Sequence, residues 1–169
     1  LASVDLTAAD LIVAPFIEVL IDGTALRRDP ANPSHKLQSL RDGSFRRPGP
    51  HWLSGMPSHQ GLLLRRDWCL RFPFDTSFRI SADWLQMFSA IDAGARVAVS
   101  DQLLSWYPNG GFSYENSNLW IEDVVRLAKR FQPDHAAVDA YFAEALAHHQ
   151  QLTLARRHRR QALERWYPQ

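Results

Sequence analysis

Cysteine is almost missing from this chain: there is one, Cys69, in 169 residues. It has no partner for an internal disulfide, so a reducing cytoplasm is the compartment it fits, and its neighbours Trp68 and Leu70 suggest a buried, inert thiol. Long apolar runs are also missing, and none approaches the roughly 20 residues that a membrane-spanning helix needs. The first residues carry no basic segment and include Asp5 and Asp10, so no secretory leader is visible. Charge of one sign is not in excess. A formal net charge of +1 speaks against a strong whole-molecule field for nucleic acid. There is no Walker loop, no G-x-G-x-x-G fingerprint, no zinc spacing and no G-x-S-x-G elbow. His148, His149 and His158 do not stand at metal-ligand spacing, and a solvated helix face is the simpler account of them. Internal repeats and low-complexity segments are absent.

What is present is an ordinary globular composition, 46% hydrophobic and 22% charged. The length suggests one domain or a large part of one, enough to bury a sizeable core. The chain begins at Leu1 rather than Met, which suggests a piece of a longer protein or a processed form. Arg156, Arg157, His158, Arg159, Arg160 and Arg165 crowd the C-terminus. They suit either anionic lipid head groups or the solvated face of a terminal helix.

Along the chain, Leu11 to Ile21 is apolar and β-branched and reads as one buried strand, with Pro15 implying a bulge or an edge. Asp22-Gly23 is a turn signal, and a hairpin continuation over Thr24 to Arg28 follows it. Residues 29–50 are rich in Pro, Gly, Ser and Arg and read as a long surface loop with one short helix around His35 to Leu40. Ser58 to Arg65 reads as a second strand, Trp68 to Leu70 as a helical turn, and Phe72 to Asp75 as a loop packing aromatic rings. In Ser81 to Ala93 the residues Trp84, Leu85, Phe88 and Ile91 fall at helical spacing, and Gly94 supplies the stop. Arg96 to Ser100 and Gln102 to Tyr107 are further strands, and a loop runs from Pro108 to Gly111. Leu119 to Phe131 is an amphipathic helix ended by Pro133, and a last helix runs from Asp134, a good N-cap, to about Trp166. The order implies an α/β layer over residues 1–115 with a helical extension over 116–169.

The chemistry concentrates in Gly55-Met-Pro-Ser-His-Gln-Gly-Leu-Leu-Leu-Arg-Arg-Asp67 and in Phe78-Arg-Ile-Ser-Ala-Asp-Trp84. The polar pair His59 and Gln60 opens an apolar run, and Asp83 stands where a helix begins. There a carboxylate is stabilised by the helix dipole and held in a fixed direction. Physical reading alone leaves Asp83 either a general base or a helix-start acid. His59 and Gln60 either line a site or bond to backbone, and Arg79 either holds a phosphate or pairs with Asp83 or Asp75. Gly110 and Gly111 form either a lid or a turn of positive φ. Trp52 and Trp106 either stack on sugar rings or fill the core.

In order, several segments resemble the C-terminal half of bacterial family 2 glycosyltransferases, the GT-A-fold enzymes, in the pattern of those that build exopolysaccharide, colanic-acid-like polymers and O-antigen. Asp10-Leu-Ile-Val and Asp22-Gly23-Thr24 are similar to the strand and turn after the nucleotide-sugar site. Pro57-Ser-His-Gln60 with Leu62 to Asp67 is similar to the family's P-x-H-Q strand. Phe74-Asp75, Arg79-Ile80 and Ala82-Asp83 resemble its G-x-F-D…R-I-A-A-D-Y-D segment. Gly94-Ala95 and Gly110-Gly111-Phe112-Ser113 resemble later turns.

The resemblance implies an inverting transferase. In it Asp83 deprotonates an acceptor hydroxyl, and His59, Gln60, Arg79, Ser81, Gly110 and Gly111 bind substrate. The implied partners are a nucleotide-sugar donor and a saccharide or lipid-linked acceptor, with no nucleic acid. Peripheral contact with the inner membrane through the Arg cluster and a homodimer are also considered. Leu85 departs from the pattern by replacing a second acid. The family's nucleotide loop and metal-binding D-x-D lie upstream and are absent here, so the divalent cation (Mg or Mn) it implies has no D-x-D ligands in this chain. The alternative is a non-catalytic binding or assembly module of the same fold.

Overall fold

The computed structural model describes residues 8–48, 51–108, 110, 116–144 and 147. Among the described residues six strands form two small sheets: β1 (Leu11–Val13), β2 (Phe16–Val19), β3 (Ala25–Arg28), β4 (Leu62–Leu64), β5 (Val97–Val99) and β6 (Ser105–Pro108). The helices are α1 (Pro33–Arg41), α2 (Arg66–Arg71), α3 (Ala82–Asp92), α4 (Ser117–Phe131) and α5 (residues 135–144). The fold is mixed α/β. One sheet has the order β4-β1-β5 and the other β3-β2-β6. In each, the middle strand is antiparallel to one neighbour and parallel to the other.

The expected single strand over Leu11 to Ile21 is broken, because Pro15 has no N–H to give a ladder. The Ala14 amide donates to the Gly61 carbonyl at 2.9 Å, and the Leu104 amide donates to the Pro15 carbonyl at 2.9 Å. The chain therefore leaves one sheet and enters the other within two residues. Its parallel partner also crosses, over residues 100–104 between β5 and β6, so the two strand pairs run side by side through both sheets.

The second predicted strand is shorter than Ser58 to Arg65. Its first part is a 3-10 turn, His59–Gly61, and only Leu62–Leu64 pairs with β1. Gly61 is required here, because a Cβ at this position would run into the Ala14 carbonyl oxygen. The hairpin behaves as its sequence suggests: the Asp22 carboxylate accepts the Thr24 amide at 2.9 Å, and β2 pairs with β3 from Phe16–Arg28 to Val19–Ala25. In α1, Asn32 caps the Ser34 amide at 2.9 Å and Pro33 occupies the first turn. Asp134 caps α5 by accepting the Ala137 amide at 3.0 Å; beyond residue 147 the predicted last helix and the Arg cluster lie outside the described residues.

The core lies between the first sheet and the helices. Leu11 of β1, Leu37 and Leu40 of α1, Met87 and Phe88 of α3, Val124 and Leu127 of α4, and Val138 and Phe142 of α5 belong to one buried cluster. Full burial of such a side chain contributes about 1.5–3 kcal/mol each. Trp52 is part of this core, which settles its role as filler. It is latched in place: the Lys36 ammonium donates to the carbonyls of Trp52 and Ser54, at 2.6 and 2.7 Å, and the Trp52 indole donates to the Lys36 carbonyl at 3.1 Å. Cys69 is half buried rather than buried, on a helix with no buried residue. Of the aromatic loop, Phe72 stacks on Trp68 at 6.1 Å while Phe74 stays exposed.

Candidate functional site

A chain of polar contacts runs from the 3-10 turn to the start of α3. Ser58 Oγ donates to Gln60 Oε1. Gln60 Nε2 lies 2.8 Å from His59 Nε2, and His59 Nδ1 lies 3.4 Å from Asp83 Oδ2. This set of contacts fits a neutral imidazole that accepts from Gln60 and presents its Nδ1 proton to Asp83. The Asp83 carboxylate pulls the other way: its hydrogen bond and charge hold the His59 pKa above its ordinary 6.5. Asp83 Oδ1 also accepts the amide of Trp84 at 2.8 Å. The His59 side chain is largely exposed and that of Asp83 is 17% exposed, so the pair sits at a rim rather than in the core.

The segment before α3 is held from α4. Buried Asp123 accepts the amides of Ile80 and Ser81 at 2.7 and 3.2 Å, doing the work of a cap that the Ser81 side chain does not do. Arg126 pairs with Asp123 at 3.4 Å, lies 4.3 Å over the Phe78 ring and donates to the Ser77 carbonyl. Arg130 pairs with Asp75 at 3.3 Å. Together these contacts fix the direction in which α3 presents Asp83.

Beside the pair opens a cleft of about 630 Å³. Its floor is one face of the second sheet, because side chains alternate along a strand and partners in register share a face. Arg28 and Phe16 are register partners there, as are Glu18 and Tyr107. Its walls include Trp84 from α3 and Trp120 from α4, which meet edge to face at 6.0 Å. Trp84 is fixed by its indole N–H, which donates to the Pro57 carbonyl at 2.6 Å. Ser58 and Trp84, the immediate neighbours of His59 and Asp83, line the cleft.

Of the residues singled out in the sequence, His59, Gln60 and Asp83 are brought together. Arg79 is exposed just before α3; Asp83 lies against His59, and Asp75 pairs with Arg130. Ser81 is buried at the start of α3, and its Oγ has no hydrogen-bond partner. Gly110 adopts φ 141°, a conformation that disfavours any side chain, and its carbonyl accepts the Tyr107 hydroxyl at 3.3 Å. Gly111 lies outside the described residues. Trp106 is 66% exposed and Tyr107 faces the cleft, consistent with alternation along β6.

Sequence reasoning missed Asp123, Glu18, Arg28 and Tyr107. The signal for Glu18 was there: a carboxylate inside the apolar run Phe16-Ile-Glu-Val19 demands a partner, and Arg28 supplies it at 2.6 Å across the hairpin. Among the described residues no three His, Cys, Asp or Glu side chains gather as a metal-ligand set. Among them, too, no helix is long and apolar enough to cross a membrane. Comparison with protein-family models, with curated proteins and with solved structures finds no match.

Proposed function

We propose that the chain is the acceptor-side half of an inverting GT-A glycosyltransferase, moving a sugar from a nucleotide-sugar to a saccharide or lipid-linked acceptor in cell-surface polysaccharide synthesis. The observation that carries this reading is the approach of His59 Nδ1 to within 3.4 Å of Asp83 Oδ2, beside an open cleft, by residues far apart in sequence. In the step proposed, the Asp83 carboxylate takes the proton of an acceptor hydroxyl. The oxygen forms a bond to the anomeric carbon, and the nucleoside diphosphate leaves with the electron pair of the breaking C–O bond, inverting that carbon. His59 orients the carboxylate. The donor-binding half and any divalent ion are expected from elsewhere, and cytoplasmic placement at the inner membrane belongs to the same proposal.

A second reading, a non-catalytic module of the same fold, draws on the internal bonds of Asp83: one oxygen accepts the Trp84 amide and the other faces His59. The two readings separate in a polypeptide that also supplies a donor-binding half. Release of nucleoside diphosphate from a panel of nucleotide-sugars is expected to fall about 10²–10⁴-fold in Asp83→Asn with folding unchanged. Transfer that survives the substitution at full rate overturns the catalytic reading.

A further inference from the structure

The cleft beside Asp83 carries four charged residues, and they are already matched. Glu18 accepts from Arg28 Nε at 2.6 Å, and Asp29 accepts from Arg27 Nε at 2.7 Å. Arg27 also donates to the Asp101 carbonyl at 3.0 Å. Two guanidiniums face two carboxylates, so the lining has no net charge to offer an anion. A phosphate or diphosphate entering it would meet Glu18 and Asp29 as well as the arginines, and would have to displace them to be bound bidentately. The rest of the lining is aromatic: Phe16 and Tyr107 on the floor beside Arg28 and Glu18, with Trp84 and Trp120 on the side. Aromatic faces set among a balanced group of donors and acceptors suit a ligand with an apolar ring face and many hydroxyls, in a volume within the range of small-molecule sites.

We propose that this cleft binds a neutral saccharide, and that phosphorylated ligands, including the nucleotide part of a donor, are held elsewhere. Its being the acceptor's seat rests on the reading of Asp83 as base; its preference for a neutral sugar rests on the lining alone. Trp120 and Tyr107 supply the stacking surface, while the Glu18–Arg28 pair presents hydroxyl-binding groups whose positions each partner fixes.

The test is a titration of the 169-residue chain followed by the indole N–H resonances of Trp84 and Trp120. The probes are maltotriose, cellotriose and mannotriose on one side, and UDP and inorganic pyrophosphate on the other. At least one trisaccharide is expected to shift both resonances, and neither UDP nor pyrophosphate to do so. Tyr107→Ala should weaken that binding about three- to tenfold, as should Trp120→Leu if it folds. Glu18→Gln, which leaves one guanidinium unbalanced, should raise pyrophosphate affinity about fivefold or more without improving the saccharide's. UDP or pyrophosphate shifting these resonances in the unsubstituted chain, or all three trisaccharides leaving them unmoved, overturns the proposal. Saccharide binding with no Asp83-dependent transfer would leave the cleft standing and remove the catalytic reading. Transfer with a cleft silent to sugars would do the reverse.

Discussion

The two sheets share one plan and differ in almost everything else. Each has a middle strand with an antiparallel partner on one side and a parallel partner on the other. In the first sheet the middle strand, β1, is buried throughout; in the second, β2 is only partly buried and β3 is mostly exposed. The first sheet is closed by Asp10, which sits at the foot of β1. It accepts from the Arg96 amide and Nε, both at 2.9 Å, and from Arg65 at 3.2 Å, tying β1 to the segments that lead into β5 and out of β4. The second sheet spends its surface on Glu18, Arg28 and Tyr107, which face the cleft. One ladder pattern thus serves stability where it is apolar on both faces, and forms the floor of a cleft where one face carries charge and rings.

The largest expected effect comes from treating the two middle strands alike. Leu11→Ala, at a fully buried site, should cost about 3 kcal/mol. Ile17→Ala, at a half-buried one, should cost about 1 kcal/mol. Urea unfolding followed by circular dichroism reads both, and equal costs would erase the distinction between the sheets. Next comes Asp10→Asn. The Arg96 hydrogen bonds hold the Asp10 carboxyl far below its ordinary value. A depressed carboxylate stabilises the fold above the unfolded pKa of about 3.9 and loses that contribution as pH falls below it. The variant should therefore be clearly less stable than the parent at pH 7, and the gap should narrow toward pH 3.

Asp123→Ala removes the acceptor of two amides at the start of α3 and should cost about 2 kcal/mol. A thermal melt checks the cost, and the indole resonance of Trp84, one residue past Asp83, should move with it. The smallest effect sets two histidines against each other. His51 stacks on Tyr141 at 4.9 Å and accepts the Leu53 amide on Nδ1, and burial lowers its pKa. His59 is raised by Asp83. As pH falls through about 6.5, His51 should cost stability and His59 should add it, so His51→Phe and His59→Ala should tilt the pH–stability profile in opposite directions. Because His59 is largely exposed, its tilt should be the shallower.

Local signals carried much of the architecture. The hairpin at Asp22-Gly23, the helix after Asn32-Pro33, the periodic stretch of α3 and the cap at Asp134 each depend on neighbours within a few residues, which is why they can be read in the chain. The two-sheet division could not be, because it follows from Ala14 meeting Gly61 and Pro15 meeting Leu104, partners that only the folded chain supplies. The 3-10 turn at His59 was hidden for a similar reason, as its apolar continuation resembles a strand already begun. Within the candidate site, His59, Gln60 and Asp83 were legible as polar residues in unusual places. Asp123 was not, since an acid on the polar-looking surface of an amphipathic helix gives no hint that it reaches back to Ile80 and Ser81. The cleft depends on the parallel pairing of β2 with β6, a contact with no local signature.

The central proposal is that α4, through Asp123, holds Asp83 at the rim of the cleft for proton abstraction. The most direct measurement is transfer from a nucleotide-sugar by Asp83→Asn, in a polypeptide that supplies a donor-binding half, with the urea midpoint recorded on the same preparation. The account predicts an unchanged midpoint and a rate lower by about 10²–10⁴-fold. A variant that folds equally well and transfers at the parent rate would contradict it.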